Sequence, residues 1–265
     1  FHTKVLMNNA NVSINEGQHI GVIGINGAGK STMFQIIAKI IEPDHGIVTY
    51  SKDLQLAYLK QETFFSDQAT YEYIMSAGIP EWEAYQLGHD FQLSQEQLKS
   101  PITSLSGGYR MRAKLAHLLA GKPNLLLLDE PTNYLDLETT LLLEKFLQSY
   151  QGSYLLISHD REFLRRTCDH TLEVENGKIS LYPGDVDEYE EMKAMWISQQ
   201  EAQAKNIEKK AQALETFISR FKAKASKATQ AQSKMKQLQK LKKIEVTEVA
   251  TSLERLKIPL SLIHI

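Results

Sequence analysis

The chain has 265 residues with 30 Lys/Arg against 32 Asp/Glu, which fits one α/β domain with a buried core plus an appendage rather than two full enzymatic domains. No apolar run approaches the ~18 residues of a membrane span, and the single cysteine, Cys168, excludes an intramolecular disulfide, so the expectation is a reducing, cytoplasmic compartment with no membrane insertion. The net charge of −2 hides a division: residues 201–243 carry 12 Lys/Arg against 3 Glu, while the rest carries 18 basic and 29 acidic residues, so a polyanionic partner is expected for that segment alone.

From about residue 5 to 174, short apolar runs alternate with helical periodicity. The first run, residues 18–23, reads as a strand and leads into Gly24-Ile25-Asn26-Gly27-Ala28-Gly29-Lys30-Ser31, with a helix expected over 30–40. This string has the Walker A pattern in its strand-loop-helix context. Its glycines let backbone amides close around a phosphate, and the helix N-terminus adds partial positive charge. Lys30 can reach the terminal phosphates, and the Ser31 hydroxyl can ligate Mg2+. Gly24, Asn26, Gly27, Ala28, Gly29, Lys30, Ser31 and Thr32 are therefore the expected nucleotide contacts.

Residues 54–59 read as a second strand and 108–120 as a helix. Residues 125–128, four leucines, read as a buried strand that ends in Asp129-Glu130. Adjacent carboxylates at such a strand end have separate tasks beside a phosphate loop. Asp129 is expected to hold Mg2+ through water, and Glu130 to polarise the attacking water as general base. A helix over 137–150, a strand over 154–157 and a hairpin turn at Asn176-Gly177 complete a largely parallel sheet flanked by helices. His159, just after the fourth strand, reads by itself either as a packed core histidine or as a group placed to sense a γ-phosphate.

Together these residues resemble the ATP-binding-cassette family. Leu105-Ser106-Gly107-Gly108-Tyr109 is similar to its signature, Gln61 to its Q-loop, Leu135-Asp136 to its D-loop and Ser158-His159-Asp160 to its switch-histidine loop. The five elements occur in the family's order. The resemblance implies a P-loop NTPase cassette with a helical subdomain that hydrolyses ATP with Mg2+. It makes Glu130, His159, Lys30 and Gln61 the catalytic set and Ser31, Gln61 and Asp129 the metal contacts. Ser106, Gly107 and Gly108 would form a second anion site, for a nucleotide held by another cassette, and Phe1 lies about where the family stacks an aromatic on adenine.

Glu130-Pro131-Thr132-Asn133-Tyr134-Leu135-Asp136 further resembles the ABC-F branch, with Tyr134 where that branch usually has His. So do Ser106-Gly107-Gly108-Tyr109-Arg110-Met111-Arg112 and residues 217–228, the latter similar to an interdomain linker that approaches tRNA and ribosomal RNA. Only 43 residues separate Gln61 from Leu105, so the helical arm that several members insert there is expected to be absent or cut short. The implied partners are a second cassette, downstream or as a homodimer, and the ribosome with its tRNA and rRNA. The alternatives are the ATPase subunit of a transporter and a chromosome-maintenance ATPase.

After Pro183-Gly184 neither Pro nor Gly recurs until Pro259, and the composition turns helical. Ile207, Ala211, Leu214, Ile218 and Phe221 form one apolar stripe, and Met235, Leu238 and Leu241 a second. The pattern predicts an antiparallel helical hairpin with its turn at 222–229, where Lys222, Lys224 and Lys227 crowd together. The expected domains are a cassette over 1–184, a basic hairpin linker over 185–245 and a remnant over 246–265. Within that remnant, 260–265 resembles translated adaptor sequence, and the opening at Phe1 without Met points to a missing upstream segment.

Overall fold

Leu125, Leu126, Leu127 and Leu128 are four consecutive, fully buried residues. Strand side chains alternate between faces, so such a run is satisfied only in a sheet covered on both sides. The computed structural model, which describes residues 5–8, 10–60, 65–133, 135–221, 233–237 and 263–264, has that sheet. In chain order its elements are β1 (Ser13–Ile14), β2 (His19–Ile23), α1 (Lys30–Ile37), β3 (Thr49–Tyr50) and β4 (Leu56–Leu59), then α2 (Thr70–Met75), α3 (Glu81–Asp90) and α4 (Gln95–Lys99). A 3-10 turn (Ile102–Ser104), α5 (Gly107–Ala120), β5 (Leu125–Asp129), α6 (Leu137–Ser149), β6 (Ser153–Ile157) and α7 (Arg161–Thr167) follow. The last are β7 (His170–Glu175), β8 (Lys178–Pro183), α8 (Val186–Phe221) and β9 (Ile263–His264).

The main sheet has the order β4-β5-β6-β2-β7-β8, parallel from β4 to β7 and antiparallel between β7 and β8. Its last two strands are joined by the Asn176-Gly177 turn, with φ of 51° and 77°, the left-handed pair that a two-residue hairpin requires. Leu125 and Leu127 pack with Met33, Phe34 and Ile37 of α1. Leu126 and Leu128 pack on the opposite face with Leu115 of α5 and Leu143 and Leu147 of α6. Burying one leucine stabilises by roughly 1.5–3 kcal/mol, so this strand anchors both layers and fixes where Asp129 emerges.

Most expected boundaries shift by at most one residue, and two shift by more. Helix α1 stops at Ile37, not residue 40, because Lys39 turns left-handed (φ 58°). The Ile40 amide then donates back to the Gln35 carbonyl (2.8 Å) and the Lys39 amide to Ile36 (3.0 Å), which closes the helix end. The strand expected from residue 54 begins at Leu56. The interval between Gln61 and Leu105 holds α2, α3 and α4, whose Ile74, Ala84 and Leu98 pack into one core with α5.

By contacts the chain divides into Phe1–Tyr189 with Ile258–Ile265, and Glu190–Lys257. The second sheet, β1-β9-β3, belongs to the first unit and pairs Ile263–His264 antiparallel with both neighbours. In the second unit Ile207, Ala211, Leu214 and Ile218 are the half-buried positions of an otherwise exposed stretch of α8, matching the first apolar stripe. The expected turn at 222–229, Leu238 and Leu241 lie outside the described residues, as do Gln61 and Phe1.

Candidate functional site

Strand β2 ends at Ile23, and residues 24–29 turn the chain into α1. Gly24 has φ +149°, and a Cβ there would run into the Val174 carbonyl of β7, so the loop can leave the sheet this closely only as glycine. The Lys30 ammonium folds back over the loop and donates to the carbonyls of Gly24 (2.7 Å) and Ile25 (3.3 Å). Burial lowers its pKa, while Glu130 and Asp129 nearby work in the opposite direction.

Three other helices that follow motif loops are capped by side chains. Ser106 accepts from the Tyr109 amide (3.5 Å), Asp136 from Thr139 (2.8 Å) and Asp160 from Phe163 (3.1 Å). Helix α1 has no side-chain cap at Gly29. Its first amides lack intrahelical acceptors by the geometry of a helix end, and an anion is their natural partner. Ala28 and Thr32 flank these amides half-buried, and Asn26 and Gly27 are exposed on the loop.

Asp129 closes β5 nearly buried, and each of its oxygens takes a hydroxyl: Ser31 donates to Oδ1 and Tyr58 to Oδ2, both at 3.2 Å. Burial raises its pKa, and those two bonds and Lys30 oppose the rise. Ser31 and Asp129 are hard oxygen donors on adjacent elements, a set that suits Mg2+ completed by water and phosphate oxygens. Among the described residues no cluster of three or more His, Cys, Asp or Glu forms a cage of its own.

The next residue, Glu130, has φ 51°, an uncommon conformation for a non-glycine residue and one that concentrates at functional sites. Its amide still bonds Ile157 of β6 (2.9 Å), so the ladder holds the kink in place. Oε1 lies 3.3 Å from His159 Nε2, and Oε2 is buried without a hydrogen-bond partner. Such an atom is satisfied by a ligand or an ordered water. The Thr132 and Ser158 hydroxyls meet at 3.1 Å and tie the loop after β5 to the loop after β6.

Lys30, Ser31, Asp129, Glu130 and His159 are thus brought together. Ser106 and Gly107 form a different group, exposed at the start of α5, while Gly108 is buried. A Cβ at Gly108 would lie 2.8 Å from Thr139 Oγ1 and 3.0 Å from Asp136 Oδ2, so this glycine lets α5 approach α6. Buried Arg112 strengthens that junction through Thr139 (3.3 Å), Gln92 (3.4 Å) and Glu138 (3.1 Å). Tyr58 is not marked by the sequence, and Thr132 and Ser158 enter there only inside longer motifs, because the bonds that give all three a place come from segments distant in the chain.

Two family models, both described as ABC transporter, match residues 7–133 and 172–256. The probable ATP-binding protein YheS of Escherichia coli K12 is 37% identical over 259 residues, covering 84% of this chain and 41% of its own length. The ATP-binding protein Uup of Buchnera aphidicola is 37% identical over 199 residues, covering 71% of this chain and 33% of its own. The chain belongs to the ATP-binding-cassette family. Its relatives agree with the ABC-F resemblance, and the chain spans about two fifths of the length of YheS. The cassette fold recurs in the structure of an ATP binding subunit of an ABC transporter, with a TM-score of 0.63, 22% identity, and 73% of this chain and 89% of that one covered. The cassette MJ0796, in a dimeric post-hydrolysis state with ADP and Pi, aligns with a TM-score of 0.58 at 22% identity, covering 67% and 90%. No described helix of this cassette is long and apolar enough to cross a membrane.

Proposed function

We propose that this cassette binds Mg2+-ATP on its own phosphate loop and hydrolyses it when a facing cassette supplies a signature Ser-Gly-Gly. The observation that carries the reading is the convergence, at the C-terminal ends of the parallel strands β2 and β5, of an uncapped α1, Lys30, the Ser31–Asp129 pair and Glu130 with an unsatisfied oxygen. The α1 amides and Lys30 hold phosphate oxygens, and Ser31 with Asp129 would hold Mg2+, which when bound offsets charge on the β/γ-phosphates. Glu130 takes the proton of the attacking water, and His159 fixes the carboxylate that does so. Gln61 would contact the metal and the water, and Phe1 the adenine. The signature at Ser106, Gly107 and Gly108 would serve the nucleotide of the facing protomer. YheS and Uup are both named ATP-binding proteins, which supports the nucleotide assignment.

Hydrolysis is proposed to gate contact with the ribosome. What supports this is the basic segment 201–243, with 12 Lys/Arg against 3 Glu on an otherwise acidic chain. Such a segment neutralises phosphates without reading sequence, and its affinity falls steeply with salt. The test is sedimentation of the intact protein with a non-hydrolysable ATP analogue over ribosomes and over membranes. Ribosome association at low salt that is lost at high salt supports the reading. Association with membranes alone would sink it in favour of a transporter subunit.

A further inference from the structure

We infer that Tyr58 is a positioning residue for the magnesium site, its hydroxyl holding one oxygen of Asp129 so that the other stays aimed at Ser31. This deepens the Mg2+-ATP reading above and rests on it.

The register of the sheet puts Tyr58 there. Tyr58 pairs with Leu127 across β4 and β5, and Asp129 lies two residues further along β5, on the same face as Leu127. Tyr58 and Leu127 join the α1-side core, and the Tyr58 ring meets Phe34 of α1 edge-on with centroids 6.1 Å apart. The ring is thereby fixed between sheet and helix, and its hydroxyl reaches Asp129 Oδ2 at 3.2 Å while Ser31 holds Oδ1 at the same distance.

The two hydroxyls differ in what they can do next. Ser31 can keep donating to Asp129 while offering a lone pair to a cation, since a hydroxyl has one proton and two lone pairs. Tyr58 stands on the other side of the carboxylate and is committed to it. Without that bond Oδ2 would be a nearly buried acceptor with no fixed partner, and the carboxylate would rotate to find one. Groups that orient a metal's ligands carry much of its affinity without touching it. Phenylalanine keeps the ring and its Phe34 contact and removes only the hydroxyl, so Tyr58→Phe isolates this single bond.

The experiment is a magnesium titration of fluorescent mant-ATP binding by the 265-residue chain, its Tyr58→Phe and Asp129→Asn variants, and the double variant. Tyr58→Phe is expected to bind the analogue in EDTA as the parent does, yet to need about tenfold more Mg2+ for its half-maximal effect. On the Asp129→Asn background the same change is expected to shift the midpoint by less than about twofold, because the bond it removes is already altered. An unshifted midpoint in Tyr58→Phe, or an equal loss of binding with and without Mg2+, overturns the inference. A parent chain whose binding ignores Mg2+ overturns the Mg2+-ATP reading itself, so the two failures are distinct.

Discussion

Glu130 Oε1 lies 3.3 Å from His159 Nε2, and the two side chains differ sharply in exposure, 8% for the glutamate and 64% for the histidine. The buried carboxylate is thus held at one oxygen by a group open to solvent, and its other oxygen has no partner. Replacing Glu130 with Gln keeps the shape and removes the base. In protein that includes a facing cassette, Glu130→Gln should slow hydrolysis by about 10²–10⁴-fold and leave nucleotide affinity intact. Single-turnover kinetics beside a binding isotherm will show this, and hydrolysis at the parental rate would place the base elsewhere.

Lys30 spends its protons on the carbonyls of Gly24 and Ile25, inside the loop that would receive the phosphates. Charge-assisted hydrogen bonds contribute about 1.5–3 kcal/mol, so Lys30→Ala is expected to weaken nucleotide binding by about 10–100-fold. Titration with mant-ATP measures it directly. Undiminished affinity would remove the lysine from the site.

Asp129 predicts an inverted pH effect. Its folded-state pKa lies above the ordinary 3.8, chiefly through burial. The folded chain therefore keeps the proton in a window where the unfolded chain has lost it. The associated stability is fully present below about pH 4 and disappears as pH rises through the folded value. At neutral pH the buried charge is a cost, so Asp129→Asn should raise the melting temperature of the nucleotide-free chain by about 2–4 °C per kcal/mol relieved. The advantage should vanish below about pH 4, and thermal melts at both pH values test it.

Gly108→Ala has an opposite expected sign from the usual substitution of a helical glycine, which stabilises. The added methyl would lie 2.8 Å from Thr139 Oγ1 and 3.0 Å from Asp136 Oδ2, at the start of two packed helices. Overpacking of this kind costs about 1–3 kcal/mol, and α5 would separate from α6. A lowered melting temperature with mant-ATP binding at Lys30 retained is the expected pair of results. A raised melting temperature would show that the junction yields.

The segment 18–31 was legible because strand, glycine loop and helix are local, and each carries its own pattern. The leucine strand was equally so, since four leucines between Pro123-Asn124 and Asp129 are too short a run for a helix and suit a strand covered on both faces. The end of α1 was not: the left-handed turn at Lys39 falls on a residue type with no preference for it, and the closing bonds to Gln35 and Ile36 decide it. Gly108 read as an anion-binding amide, and the structure adds a packing role that depends on Asp136 and Thr139, 28 and 31 residues further along the chain.

By itself the sequence determined which residues are chemically able to act: the lysine in a glycine loop, the hydroxyl beside it, the paired carboxylates after a buried strand, and the histidine after another. Those are properties of short segments, set by side-chain chemistry and backbone preference. Only the tertiary structure decided who meets whom. The parallel register that sets Tyr58 two residues short of Asp129, and the β5–β6 ladder that holds Glu130 kinked beside His159, come from hydrogen bonds between strands distant in the chain. Pairing between distant strands leaves no mark on either one alone.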